Sequence, residues 1–194
     1  MSHQLVFATN NQHKLEEVQY KVGNTFKIIS LSEIGCHDDI EETGLTLDEN
    51  ASIKSKFIHD KFGFDCFADD TGLEIEALNN EPGVYSARYS GNRDFAKNMS
   101  LVLENLNGEI NRKARFRTII SLILNNQEYV FEGIINGTIR NMPCGNAGFG
   151  YDPIFQPDGY TITFAEMDLE EKNKISHRGI AIQKLIDFLN QLNF

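Results

Sequence analysis

At 194 residues the chain has the length of one domain, at most one domain with two lobes. It is 41% hydrophobic and 24% charged, enough apolar mass for a core, and its 18 Lys and Arg against 28 Asp and Glu give a net charge of −10. That balance argues against a nucleic-acid or anionic-membrane binder, which needs a positive footprint, but leaves room for a small phosphate ligand held by a few local cations.

No apolar stretch approaches the ~18 residues of a membrane span. Met1-Ser2-His3-Gln4 runs directly into a strand-like segment without a basic leader, so a cytoplasmic location is expected. Cys36, Cys66 and Cys144 are odd in number and widely spaced, which predicts reduced thiols and no thiolate metal site.

Leu5-Val6-Phe7-Ala8 is a short apolar run that reads as a buried strand. Leu15, Val18 and Val22 then predict a helix from about residue 12, and Phe26 to Leu31 a second strand. Residues 36–45 are polar and acidic, a loop. Thr46-Leu47-Asp48-Glu49 has the form of a capping box and opens a helix to about Phe62. Cys66-Phe67-Ala68 predicts a strand ending at Asp69-Asp70. Thr71-Gly72 is expected to turn the chain into a half-exposed strand carrying Leu73, Ile75 and Ala77. Loops to about Arg93 precede a helix from Asp94 to Leu106. Arg115 to Leu124 and Tyr129 to Ile139 read as a hairpin joined through residues 125–128. Residues 141–153 form a Gly-rich loop. Ser176 is a good cap for a last helix with Ile182, Leu185, Ile186 and Leu189 on one stripe. The sum is a mixed-sheet α/β protein, read as a single domain over 1–194.

Five constellations can carry chemistry. Thr9 to Lys14 joins a strand end to a helix start, where free N–H groups and the helix dipole attract anions; a capped helix with an exposed lysine is the plainer alternative. Asp69-Asp70 ends an apolar strand, so one carboxylate can enter a cleft while the other braces the loop. Asp70 with a carboxylate from Glu41 or Glu42 would suit Mg²⁺, which takes one or two carboxylates plus phosphate oxygens and water; Asp38-Asp39 reads as a solvated loop. Lys54 falls in the middle of the apolar stripe of its helix, where a bare ammonium is costly; it either snorkels out or points at a phosphate or carboxylate. Gly145 to Asp152 places Phe149 and Tyr151 among glycines, either a base-binding loop or a tight structural one. Last, Lys172 stands with Ser176-His177-Arg178; His177 and Arg178 follow Ser176 in a first helical turn, where positive charge opposes the dipole unless an anion or an electron-rich base edge sits there too. His3, His13, His37 and His59 have no comparable context and read as surface residues.

Taken together, Thr9-Asn10-Asn11-Gln12-His13-Lys14, Glu41-Glu42-Thr43-Gly44, Glu49-Asn50-Ala51, Ala68-Asp69-Asp70-Thr71-Gly72-Leu73, residues 82–89 (PGVYSARY), Gly148-Phe149-Gly150-Tyr151-Asp152-Pro153 and Ser176-His177-Arg178-Gly179 resemble the inosine triphosphate pyrophosphatase family. The resemblance spans nearly the whole chain. It implies an elongated mixed β-sheet with helical lobes flanking a central cleft, usually as a homodimer. It also implies Mg²⁺-dependent cleavage of a purine nucleoside triphosphate to monophosphate and pyrophosphate.

Position by position, it implies phosphate contacts for Thr9, Asn10, Asn11, Gln12, His13, Lys14 and Lys54, and metal binding for Glu41 and Asp70. Asp70 is also the implied proton acceptor. Substrate contacts are implied for Thr71, Phe149, Gly150, Tyr151, Asp152, Lys172, His177 and Arg178. Two departures touch phosphate geometry: Asn10 stands where Gly or Ser is more usual, and Thr71 where Ser is common. The rival readings are a pyrophosphatase for other nucleotides and a catalytically silent nucleotide-binding protein.

Overall fold

Leu5-Val6-Phe7-Ala8 is apolar at every position, and because successive side chains of a strand face opposite sides, a core on each face of the sheet follows. In the computed structural model, which describes residues 4–23 and 26–192, the first elements are β1 (Gln4–Phe7), α1 (Gln12–Val22) and β2 (Lys27–Ile29). His3 lies outside the described residues. β1 pairs in parallel with β2, and on its other side with β3 (Cys66–Ile75), with Val6 opposite Cys66 and Phe7 opposite Phe67. Leu5, Phe7 and Phe67 point into one core with Val18 and Val22 of α1 and with Ile182, Leu185, Ile186 and Leu189 of α5 (His177–Gln191). Val6, Ala8, Cys66 and Ala68 point into the other, against Ile58 of α2 (Leu47–Phe62).

The predicted capping box is present in full. Thr46 Oγ1 accepts the Glu49 N–H at 3.1 Å, and Glu49 Oε2 accepts the Thr46 N–H at 3.2 Å. The remaining elements are β4 (Glu81–Pro82), α3 (Phe95–Asn105), β5 (Lys113–Leu124), β6 (Gln127–Ile139), β7 (Phe155–Pro157) and α4 (Leu169–Ile175), with four short 3-10 helices between them. The sheet order is β2-β1-β3-β5-β6-β7, with β4 on β3. Asn125 and Asn126, at φ of 50° and 64°, make the β5–β6 connection a two-residue turn, the geometry that suits twisted hairpin strands. The three cysteines are free.

The chain divides into two compact units: one of Met1–Asp70, Thr118–Gly133 and Arg178–Phe194, the other of Thr71–Arg117 and Ile134–His177. The core of the second unit joins Leu73, Ile75, Val102, Leu106, Phe116, Tyr151, Phe155 and Phe164.

Three expectations change. Thr71-Gly72 does not turn the chain: β3 runs unbroken to Ile75 and Ala77 falls in a 3-10 helix. Thr71 is a good strand former, and Gly72 serves a close approach, since a Cβ there would lie 2.7 Å from the Gly83 carbonyl oxygen. Helix α4 adds to the expected elements, and Asp168 caps it by accepting the Glu171 N–H. His59 is half-buried, its ring nitrogens 3.0 Å from the Phe64 carbonyl and 2.8 Å from Asn126 Oδ1.

Removing the exposed cap by Thr46→Ala should cost about 1 kcal/mol of unfolding free energy in urea, with the urea dependence unchanged.

Candidate active site

The strand alternation that sorts apolar side chains also sends two adjacent carboxylates of β3 to different partners. Asp69 is 1% exposed. Its Oδ1 accepts the Lys14 ammonium at 2.9 Å and its Oδ2 accepts Arg178 Nε at 3.1 Å; the same guanidinium donates through Nη1 to Glu17. Asp70 is 8% exposed. Its Oδ2 accepts Nδ2 of Asn50 at 3.1 Å, and its Oδ1 lies 3.6 Å from Lys54 Nζ. Lys54 donates to Glu42 Oε1 at 2.7 Å and to the Asp69 main-chain oxygen at 2.7 Å.

These surroundings push the neighbours in opposite directions. Burial alone would raise Asp69, but the charges of Lys14, Arg178 and Lys54 outweigh it and hold the carboxyl well below the usual range. Burial raises Asp70, and the Glu42 charge adds to it; Lys54 and Lys14 oppose without cancelling. Lys54 is raised because Asp70, Glu42 and Asp69 overcome its desolvation, whereas desolvation lowers Lys14. Two neighbouring carboxylates driven apart by their environments make this pair a candidate acid–base site.

The sequence candidates distribute as follows in the first unit. Thr9, Asn10, Asn11 and Gln12 line a cavity of about 130 Å³ with Leu15, Ser30, Leu31 and Ser32. Asn11 caps α1 by accepting the Lys14 N–H at 3.2 Å, so the plain capping role is real and leaves the Lys14 ammonium for Asp69. Gln12 and His13 are exposed. Lys54 is buried and aimed at carboxylates, the second of its two predicted alternatives. Of the two glutamates left open by spacing, the structure brings Glu42 to Lys54 and Asp70, while Glu41 is exposed. Asp69 braces two helices through Lys14 and Arg178 and not a loop, and the anion that offsets Arg178 at its helix start is internal. Sequence reading assigned no role to Glu17 or Asn50. For Glu17 a signal existed, three residues after Lys14 on the same helix, but its partner Arg178 lies 161 residues away.

In the second unit, Asp152 Oδ2 accepts both the Lys172 ammonium at 2.7 Å and the Phe149 N–H at 2.8 Å. Lys172 Nζ sits 5.1 Å from the Phe149 ring centre, a cation–π contact that fixes the half-exposed ring with Gly150 beside it. Tyr151 belongs to the core, its hydroxyl donating to the Ser86 carbonyl at 2.8 Å, so its ring offers no face to a ligand here. His177 is buried and stacked on Phe116, centroids 4.5 Å apart. Thr71 is half-buried on β3.

Among the described residues no three His, Cys, Asp or Glu side chains come together as a metal cage. Two hard carboxylates, Glu42 and Asp70, do lie on one ammonium, a donor set that fits an ion completing its shell with water and phosphate oxygens.

Residues 5–188 match the model of the Ham1 family. The chain belongs to the Ham1 family. Within the Ham1 family, the dITP/XTP pyrophosphatase of Flavobacterium psychrophilum is 54% identical over 186 residues, covering 95% of this chain and 98% of that protein. That of Porphyromonas gingivalis is 51% identical over 187 residues, covering 95% and 96%. A Ham1 protein solved from Coxiella burnetii has a TM-score of 0.89 at 40% identity, over 97% of this chain and 99% of that one. The Ham1 protein of Staphylococcus aureus has a TM-score of 0.88 at 38% identity, over 97% and 98%.

Lys54 gains its carboxylates on folding. Its contribution is therefore complete below the free-lysine range of about 10.4 and lost as pH climbs through its raised value. Lys54→Met should lower unfolding free energy by about 3 kcal/mol at pH 7. That deficit should shrink toward pH 4, where the carboxylates left behind take up protons.

Proposed function

We infer that this Ham1 chain hydrolyses non-standard purine nucleoside triphosphates, ITP, dITP and XTP, to the monophosphate and pyrophosphate, clearing them from the nucleotide pool. The observation that carries the reading is the Asp69–Asp70 pair, one carboxylate held charged and the other raised, with two lysines on it. The relatives named dITP/XTP pyrophosphatase support the substrate class.

In the proposed reaction a water oxygen bonds to the α-phosphorus as the bridge to the β-phosphate breaks. The water's proton passes to Asp70 Oδ1, the oxygen on the Lys54 side of the carboxylate. The raised Asp70 suits a general base, a role worth ~10²–10⁴ in rate. Lys14 and Lys54 offset the charge on the departing pyrophosphate, in keeping with phosphoryl transfer as positioning and charge stabilisation. Mg²⁺ would be held by Asp70 and Glu42 and would supply charge neutralisation on the phosphate oxygens. Thr9 to Lys14 contribute donors to the phosphates. Glu41, assigned to the metal by resemblance, gives way in this reading to Glu42. A single functional domain, argued from length, a cytoplasmic location, argued from the cysteines, and a homodimer, implied by the family resemblance, belong to the same reading; the acidic balance supports a partner list without nucleic acid.

Base choice rests on the 6-oxo acceptor that inosine and xanthosine carry where adenosine has a 6-amino donor. The half-exposed Phe149 ring supplies a stacking face. Arg178 is engaged by Asp69 and Glu17, and the Phe149 N–H by Asp152, so either could donate to O6 only by exchanging such a bond. Rejection of a mismatched polar edge reaches ~10⁴ when buried groups are left unpaired.

Pyrophosphate release with Mg²⁺ from ITP, dITP, XTP, ATP and GTP tests this function. The expected kcat/KM for ITP and XTP exceeds that for ATP by at least ~10². Comparable ATP turnover defeats the base selection, and tight ITP binding without pyrophosphate release favours the silent nucleotide-binding reading.

A further inference from the structure

Asn50 is fully buried near the start of α2. Asparagine is a poor helix former, and a buried amide is costly unless both of its ends are used. Both are used. Its Oδ1 accepts the Gly44 N–H at 2.8 Å, and its Nδ2 donates to Asp70 Oδ2 at 3.1 Å. One short planar group thus ties the loop that carries Glu42, two residues before Gly44, to the carboxylate on β3. The contact is close: a Cβ on Gly44 would lie 2.7 Å from Asn50 Oδ1 and 2.6 Å from Glu49 Cβ. Aspartate at this position could not donate to Asp70, and leucine could do neither job.

We propose that Asn50 is a positioning residue of the reaction: it occupies Asp70 Oδ2, turns Oδ1 toward Lys54 and the substrate, and sets the spacing between Asp70 and Glu42. This rests on the function proposed above, which gives Asp70 and Glu42 their roles. Both polar ends of Asn50 are taken up by protein groups. Its effect passes through the carboxylates, as the outer partners of metal-binding groups do, whose loss typically costs about 10–100-fold in metal affinity or activity.

Asn50→Leu keeps the volume of the side chain and removes both bonds. The test measures Mn²⁺ binding to the nucleotide-free protein by titration calorimetry, kcat and KM for ITP, and the melting temperature. The expected result is Mn²⁺ affinity weakened about 10-fold or more. kcat should fall by at least the same factor, with KM within about threefold, because the nucleotide-holding side chains are untouched. Asn50→Asp keeps the acceptor for Gly44 but sets a carboxylate against Asp70 where the donor stood; it should show the same fall in kcat, and it carries the kinetic test if the leucine variant fails to fold. An unchanged Mn²⁺ affinity with kcat within twofold of the parent in either folded variant overturns the proposal. If the parent protein releases no pyrophosphate from ITP, the function fails while the Mn²⁺ comparison still decides the role of Asn50.

Discussion

Two negative charges on neighbouring residues of a buried strand are the constraint that shapes the first unit. Neither Asp69 nor Asp70 can shed its charge into water, so each needs compensation from the protein. Because the strand alternates, the compensation comes from different elements: α1 and α5 bring Lys14 and Arg178 to Asp69, and α2 brings Lys54 and Asn50 to Asp70. The helices around β3 are thus tied to it by ion pairs as well as by the apolar cores on both faces.

The compensation is unequal, and the proposed chemistry rests on that inequality. Asp69 holds two cations directly and stays ionised; its job is to keep Lys14 in place. Asp70 shares one ammonium with Glu42 at a longer distance and is left with a raised affinity for a proton. In the second unit the same economy of charge holds an aromatic face, with Asp152 gripping Lys172 and the Phe149 backbone together.

Much of this was legible in the sequence. Local rules found the capping box at Thr46, the stripe of the last helix and the anomaly of Lys54, because each is written within a few residues. The turn expected at Thr71-Gly72 failed because a glycine required by a distant neighbour, Gly83, looks the same as one required by a turn. Spacing alone left Glu41 and Glu42 level, and only the position of Lys54 separates them. Tyr151 beside Phe149 suggested a second stacking face, but its neighbours in space, not in sequence, enclose it. Glu17 and Asn50 stayed silent for the same reason: each acts on a residue far along the chain.

The division of labour between the two aspartates is most directly measured by comparing Asp69→Asn with Asp70→Asn in both unfolding free energy and ITP turnover. Asp69→Asn should lose about 3–5 kcal/mol, as when one member of a buried ion pair is removed. Asp70→Asn should remain as stable as the parent, or gain stability through relief of a poorly solvated charge, while kcat drops at least ~10². An Asp70→Asn enzyme with near-normal turnover, or an Asp69→Asn protein of unchanged stability, would contradict this account.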